Sequence, residues 1–337
     1  MDAQHAPLLF ALSESHTLGV EIARRAGFEL APLEERAFEE GEFKLRPLVS
    51  VRDRTVLVAQ SLAGSAEVPV AQRLIRLLFL LFGLRDAGAR RMIALVPYLS
   101  YARKDRRTQP RDPVTTRYVA QLLETTGVDQ VIALDVHNPA ALDNAFRIHV
   151  DHLSAIPMFV RHFAEHVPGA AIAVASPDVG GIKRVQIFRE LLQSQLEREV
   201  DLVFVEKRRA GGVVSGGAVV GDVAGRTAIV LDDLCASGGT LIRAATALRE
   251  AGAVAVHVAF THAPLARGLT ALAASDAISQ IVFTDSVGSA LHVESISPRS
   301  RLTILPVAPL FGDAVARILA GAPLTPLLQR WPPAGTA

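Results

Sequence analysis

The sequence predicts an α/β protein built on parallel sheets covered by helices on both faces. Two observations carry this reading. Short, wholly apolar runs recur along the chain with helix-length segments between them, and polar residues able to do chemistry follow the ends of several runs. The runs fall at residues 8–12, 55–59, 92–96, 131–134, 172–175, 202–205, 228–231, 254–260 and 281–283. Strands this apolar do not alternate, so neither face of their sheets meets water. Helices fit the gaps at 70–87 and 115–126. Nine strands are too many for one tidy sheet of this length. The break falls near residue 155 and leaves two halves of similar βα pattern. The ending RWPPAGTA reads as irregular.

Bulk composition excludes several functions. The chain has 337 residues, half of them apolar, which suits one large or two ordinary α/β domains. Thirty-five basic against 34 acidic residues leave a formal charge of +1, so no global field recruits nucleic acid or a membrane. A single cysteine, Cys235, excludes an internal disulfide and fits a reducing compartment. The apolar stretch near the N-terminus has no basic flank and does not read as a signal peptide. The apolar run at 77–81 is too short to span a bilayer. A cytoplasmic protein is the expectation.

The most informative segment is IVLDDLCASGGTLIRA, residues 229–244. A buried strand ends in Asp232 and Asp233. Ser237, Gly238, Gly239 and Thr240 carry little bulk, so backbone N–H groups can approach a ligand. Leu241, Ala244, Ala245 and Leu248 then recur at one-face helical spacing until Gly252. A helix opening here aims its positive end at the loop, as in sites that phosphates occupy. No Lys follows the glycines and no G-x-G-x-x-G is present, so neither common nucleotide fingerprint applies. Two acids beside such a cradle suit a polyol, or a metal held next to a phosphate; acids merely capping a loop are the plainer alternative.

This segment resembles the phosphoribosyl-diphosphate loop of phosphoribosyltransferases and ribose-phosphate diphosphokinases. Six further segments match the diphosphokinase (PRPP synthetase) family in its own order. They are FEEGEFKLRP at 38–47, VPYLSYARKDRR at 96–107, LDVHNPAALDNAF at 134–146, VDHLSA at 150–155, SPDVGGIKR at 176–184 and FVEKRR at 204–209. The resemblance spans residues 8 to 310. It implies two phosphoribosyltransferase-like domains, each a mainly parallel sheet flanked by helices. The first covers 1–155, with a C-terminal segment 308–337 packing back on it, and the second covers 156–307. It also implies an enzyme of nucleotide biosynthesis that moves diphosphate from MgATP to the 1-hydroxyl of ribose 5-phosphate. The expected partners are ATP, ribose 5-phosphate, Mg²⁺ and further copies of the chain, in a dimer or larger homo-oligomer.

The candidate residues each have a plainer reading. His137, after the run at 131–134, would alone pass for a loop histidine, and Asp135 for a structural acceptor. An imidazole and a carboxylate are also reasonable partners for Mg²⁺ on a triphosphate, and the family pattern gives that role to His137 and Asp178. The basic stretch from Arg103 to Arg117 lacks the interleaved aromatics of an RNA patch. It suits polyphosphate recognition by the forked Arg guanidinium, and the resemblance assigns Arg103 and Lys104 to ATP. Phe38, Glu40, Gly41 and Glu42 would reach the ATP site of a neighbouring subunit, with Phe38 stacked on adenine; a core Phe is the alternative. Lys207 and Arg209, on a glycine-rich hairpin, would stabilise the transferring group. Arg209, Asp232, Asp233, Ala236, Ser237, Gly238, Gly239 and Thr240 would hold ribose 5-phosphate.

The chain departs from the family pattern D-D-x-x-D-T-G-G-T at Ala236, where an acid would meet the ribose hydroxyls, and conservatively at Ser237. Lys104 replaces the usual Gln, Glu40 the usual Asp, and the loop after Arg209 is one residue short. A raised Michaelis constant for the sugar, or a different sugar phosphate, is the consequence expected. A weakly active regulatory or sugar-sensing relative is the alternative, against which stands the retention of His137, Asp178, Lys207 and Arg209. A transferase that consumes PRPP would have no use for the YARKDRR and FEEGE segments.

Overall fold

A computed structural model describes residues 6–329 except 66, 168, 211–212, 289–292 and 294–295, with backbone alone at 179, 206–210 and 213–217. The irregular ending at 330–337 lies outside the described residues. Two compact units emerge. The first takes Met1–Leu153, Ser286–Ala290 and Val307–Leu324; the second takes Ser154–Asp285, Leu291–Pro306 and Thr325–Ala337.

The first unit begins with β1 (Leu8–Ala11) and α1 (His16–Ala26), followed by a hairpin of β2 (Leu33–Ala37) and β3 (Phe43–Pro47). Next come β4 (Thr55–Ala59), α2 (Val70–Asp86), β5 (Arg91–Val96), α3 (Thr115–Thr125), β6 (Gln130–Leu134), α4 (Pro139–Ala145) and β7 (His149–Leu153). Five strands form one parallel sheet in the order β1-β4-β5-β6-β7. Its core is aliphatic: Val56, Val58, Ala94 and Val131 pack with Leu77, Leu81 and Leu84 of α2 and Leu123 of α3, all almost solvent-free. The β2–β3 hairpin stands apart as a two-stranded sheet. Arg76 of α2 ties it down by pairing with Glu35 of β2 as well as with Glu14, and Phe43 rests on Phe79 with ring centroids 5.5 Å apart.

The second unit contains α5 (Ile156–His166), β8 (Ile172–Ser176), α6 (Ile182–Leu196), β9 (Asp201–Ala210), β10 (Val213–Val220), β11 (Thr227–Leu234) and α7 (Gly239–Glu250). It continues through β12 (Ala255–His262), α8 (Ala266–Ala273), β13 (Gln280–Thr284) and β14 (Leu302–Leu305). Its seven strands run in the order β10-β9-β8-β11-β12-β13-β14, parallel except for β10. Phe260 and Phe283 stack inside it with centroids 5.6 Å apart. Beyond it, α9 (Ala308–Leu319) returns to the first unit and packs on α1, where Arg25 clasps Asp313 at 2.7 Å. The short α10 (Thr325–Gln329) lies against α5 in the second unit.

All nine apolar runs form strands within a residue or two, except that β9 runs on to Ala210 and β11 to Leu234. Five strands carry no apolar run. β2 and β3 are LEERA and FKLRP, charged and partly exposed because the hairpin covers no core of its own. β7 reads HVDHL and β14 LTIL, and both lie at sheet edges. β10 reads VVSGGAVV and closes the other edge as an antiparallel partner of β9. Edge strands meet neighbours on one side only, so their sequences carry weaker apolar signatures.

Candidate active site

In a parallel sheet every strand delivers its carboxyl end to one edge, and ligands gather there. In the second unit β8 and β11 are neighbours, with Ala175 opposite Val230. The turn holding Asp178 and the Asp232–Asp233 pair therefore emerge side by side. On the far side of β8, Ser176 lies opposite Phe204 of β9. The backbone of Lys207 follows three residues later, paired with Gly217 of β10, and Arg209 pairs with Val214. The Lys207 and Arg209 side chains lie outside the described residues.

Among the described residues, Asp232 and Asp233 share one cation. Arg184, from the first turn of α6, places its Nη1 3.5 Å from Asp232 Oδ1 and 3.3 Å from Asp233 Oδ1. Asp232 Oδ1 also accepts the Asp233 N–H at 2.9 Å. One guanidinium does not fully compensate two carboxylates. Burial, then the hydrogen bond and charge of Asp233, push the Asp232 carboxyl well above the usual carboxylate range. The pair thus offers both a hydrogen-bond acceptor and a readily held proton to a polyol.

The loop after β11 is an anion cradle by construction. Gly238 occupies the left-handed region at φ 78° and caps α7 without any side-chain hydrogen bond. The first bond closing that helix runs from the Ile242 N–H to the Gly238 carbonyl at 2.9 Å. The N–H groups of Gly239, Thr240 and Leu241 come before it, so no carbonyl of the helix is available to them. They face the loop at the positive end of a twelve-residue helix. α7 opens at Gly239, two residues before the onset that apolar spacing marks, because apolar positions register only once a helix faces the core. Cys235 is buried here, its amide bonded to the His262 carbonyl at 2.8 Å. Burial pushes its thiol up to about 12, which makes it a packing residue rather than a nucleophile.

Asp178 heads a single helical turn. Its Oδ1 accepts the Gly180 N–H at 2.9 Å, and its carbonyl accepts the Ser176 hydroxyl at 2.5 Å. The Gly180 amide holds the carboxylate in place at the head of that turn. Among the described residues no group of three or more His, Cys, Asp or Glu gathers to hold a metal.

In the first unit His137 is exposed, just beyond the carboxyl end of β6. The chain turns there through Asp135, buried at φ 36°, and the Val136 N–H donates to His152 Nε2 at 3.0 Å. Asn138 Nδ2 donates to Asp105 Oδ2 at 2.6 Å. That bond ties the loop bearing Arg103 and Lys104 to the one bearing His137. Arg103 is exposed, but Lys104 is engaged: its ammonium lies 2.5 Å from Asp112 Oδ2 and 3.0 Å from Thr108 Oγ1. Lys104 and Thr108 hold the Asp112 carboxyl well below its usual range. Phe38, Glu40, Gly41 and Glu42 form the tip of the β2–β3 hairpin, closed by the Phe38 N–H on the Glu42 carbonyl at 2.8 Å. The Phe38 ring is half-exposed beneath the Arg36 guanidinium, 5.0 Å from its centroid. A core position is excluded, and a flat apolar face remains available.

Three residues that shape the site escape sequence reasoning: Arg184, Gly268 and Arg243. Arg184 ends the SPDVGGIKR segment, yet only the adjacency of α6 to β11 gives it a partner. Gly268 of α8 lies so close that a Cβ on it would stand 2.6 Å from the Ala236 carbonyl oxygen. Arg243 leans over the start of α7.

A family model described as the N-terminal domain of ribose phosphate pyrophosphokinase matches residues 8–127, and one described as the phosphoribosyl synthetase-associated domain matches 208–329. Ribose-phosphate pyrophosphokinase of Granulibacter bethesdensis is 36% identical over 311 residues, covering 92% of this chain and 96% of its own. That of Bacillus caldolyticus is 36% identical over 318 residues, covering 94% and 96%. The crystal structure of phosphoribosylpyrophosphate synthetase from Mycobacterium smegmatis superimposes with a TM-score of 0.83 at 30% identity, over 94% of this chain and 99% of the other.

Proposed function

The chain belongs to the ribose-phosphate pyrophosphokinase family, and from that premise we propose how its residues divide the reaction. The protein is an enzyme that transfers diphosphate from ATP to the 1-hydroxyl of ribose 5-phosphate, giving 5-phosphoribosyl 1-diphosphate and AMP. The observation that carries the residue assignment is the β11–α7 connection, an acid pair beside helix-start N–H groups that no helix carbonyl can take.

The 5-phosphate sits on residues 236–240, taking the amides at the start of α7. The ribose hydroxyls meet Asp232, and Asp233 with Arg184 fixes that carboxyl in place. So held, the 1-hydroxyl oxygen forms a bond to the β-phosphorus of ATP, the bond from that phosphorus to the AMP oxygen breaks, and the hydroxyl proton is lost. Lys207 and Arg209 meet the charge on the transferring group; cations aimed at developing charge are worth on the order of 10²–10³ in rate. Arg103 grips the polyphosphate. Phe38, Glu40, Gly41 and Glu42 serve the adenosine of a neighbouring copy, which requires at least a dimer. Lys104 is proposed to act on ATP only after leaving Asp112. Asp178 in the second unit and His137 in the first are each proposed as a group able to touch Mg²⁺. When bound, the ion supplies charge neutralisation across the phosphates. No helix among the described residues is long and apolar enough to cross a membrane, and a cytoplasmic location is part of the proposal.

The test is AMP release in MgATP with and without ribose 5-phosphate, beside Lys207→Ala. Sugar-dependent AMP that falls at least 100-fold in the variant, with its thermal midpoint kept, is the expected result. Activity retained in Lys207→Ala refutes the assignment of that residue.

A further inference from the structure

We propose that Arg243 is a specificity-determining residue that grips the phosphate of the sugar substrate from above the start of α7. The proposal rests on the assignment of residues 236–240 to that phosphate. Side chains on a helix lean toward its N-terminus, and Arg243 does so fully. Its Nη2 donates to Thr240 Oγ1 at 3.3 Å, and its Nη1 lies 3.3 Å from where a Cβ on Gly239 would stand. The guanidinium therefore crosses the same opening as the Gly239, Thr240 and Leu241 amides. Glycine at 239 is what leaves room for it.

Electrostatics make this an unusual place for a cation. The start of a helix is its positive end, where acids are favoured and bases are not. Arg249, on the same helix, shows the favourable arrangement: near the C-terminal end, it donates to the Val254 carbonyl at 2.6 Å and the Ala277 carbonyl at 3.1 Å. Arg243 has no carboxylate partner among the described residues, and the loop from Cys235 to Thr240 contains no acid. Asp232 and Asp233, the acids nearest in sequence, are held by Arg184. An exposed guanidinium held over like polarity, with no carboxylate partner among the described residues, is what a dianion would complete. Its planar fork can meet two phosphate oxygens while the amides take others. Ribose without its phosphate would gain nothing from either.

The experiment compares the full-length enzyme with Arg243→Gln and Arg243→Lys. It measures the Michaelis constants for ribose 5-phosphate and ATP, and the thermal midpoint with and without ribose 5-phosphate. For Arg243→Gln the constant for the sugar phosphate should rise roughly 10- to 100-fold, the range of a charged hydrogen-bond partner. The turnover number and the constant for ATP should stay within about twofold, and Arg243→Lys should fall between. The midpoint without ligand should hold or rise, since a misplaced cation is gone, while the rise caused by ribose 5-phosphate shrinks. An unchanged constant for the sugar phosphate overturns the proposal, as does a lowered ligand-free midpoint with an undiminished ligand response, the mark of a structural residue. Should the parent enzyme itself show no sugar-dependent AMP and no thermal response to ribose 5-phosphate, the assignment of residues 236–240 fails instead.

Discussion

Replacing Gly268 with alanine should damage the phosphate loop without replacing any residue proposed to bind substrate. Gly268 lies in the first turn of α8, pressed against the loop that follows β11. A methyl group there would stand 2.6 Å from the Ala236 carbonyl oxygen, 3.1 Å from its carbon and 3.1 Å from Cys235 Sγ. The contact is reciprocal, since a Cβ on Gly238 would lie 2.9 Å from the Gly268 carbonyl oxygen. Backbone meets backbone on both sides, so no flexible side chain can swing away. Restoring an ordinary 3.4 Å contact requires helix and loop to part by about 0.8 Å. Hydrogen bonds to a phosphate tolerate little of that, because 2.9 Å becomes 3.7 Å, outside bonding distance.

The cost should therefore appear chiefly in sugar binding. A misplacement near 1 Å can lower rates on the order of 10²-fold, and we expect kcat/KM for ribose 5-phosphate to fall roughly 10- to 100-fold. The Michaelis constant for ATP should move less than about twofold. Overpacking costs about 1–3 kcal/mol, which at roughly 2–4 °C per kcal/mol for a chain of this size lowers the Tm by about 2–12 °C. Gly83→Ala is the control, since nothing lies within 4 Å of a Cβ there. Steady-state kinetics with both substrates and a thermal melt decide the matter. An unaltered constant for the sugar in a folded Gly268→Ala protein would refute the claim that this contact sets the loop.

Two other expectations concern charge. His162 is buried with its Nε2 lacking any partner among the described residues, and burial, with the nearby His166, lowers it from 6.5 to about 4. The unfolded chain binds that proton near pH 6.5 and the native state only near 4, so stability falls as pH drops through this window. The loss is about 2 kcal/mol at pH 5 and about 3 kcal/mol below pH 4. Urea midpoints at pH 7 and pH 5 should therefore differ more in the parent protein than in His162→Leu, and equal differences would contradict it. Arg184→Met strips the only described cation from the Asp232–Asp233 pair, and breaking such a pair costs about 3–5 kcal/mol. A carboxyl raised by its surroundings destabilises the fold only once it is ionised, so the deficit should be greatest above neutrality and shrink toward pH 5. A deficit independent of pH would show that Arg184 acts by packing alone.

Sequence legibility follows from what each residue answers to. The apolar runs at 228–231 and 172–175 were readable because a strand buried on both faces has to be apolar, whatever surrounds it. Asp232, Asp233 and Ser237 to Thr240 were readable because the chemistry of a strand-to-helix anion loop sits in consecutive residues. The β2–β3 hairpin was legible as FEEGE but not as strands, since its residues face solvent more than core. Arg184, Gly268 and Arg243 answer to neighbours that lie 49, 32 and 3 residues away. The first two distances put them beyond any local pattern. Arg243, though local, reads on paper as one more exposed arginine of an amphipathic helix; only its lean toward Thr240 sets it apart. The engagement of Lys104 by Asp112 was hidden for a similar reason, since eight residues of irregular chain had to fold back first.

The absence of an acid at Ala236 also looks different once the charges around it are placed. On sequence alone it is a lost contact to the ribose hydroxyls. In the fold, the two remaining acids are both drawn to Arg184, and the loop from Cys235 to Thr240 is uncharged up to Arg243. The result is a polarity along the loop, with acceptors at the β11 end and donors at the α7 end. On the assignment proposed above, a sugar phosphate can lie along it in only one sense, phosphate over the helix start and hydroxyls toward Asp232. An acid at 236 would place a negative charge between those ends, in the loop that leads to Arg243. Its removal weakens the hold on the hydroxyls and leaves the guanidinium for the phosphate. The two effects oppose each other in affinity for the whole substrate and reinforce each other in selectivity for the phosphorylated sugar. Ala236→Asp should therefore raise affinity for unphosphorylated ribose relative to ribose 5-phosphate, measured by competition against AMP formation; a change in the opposite sense would break the argument.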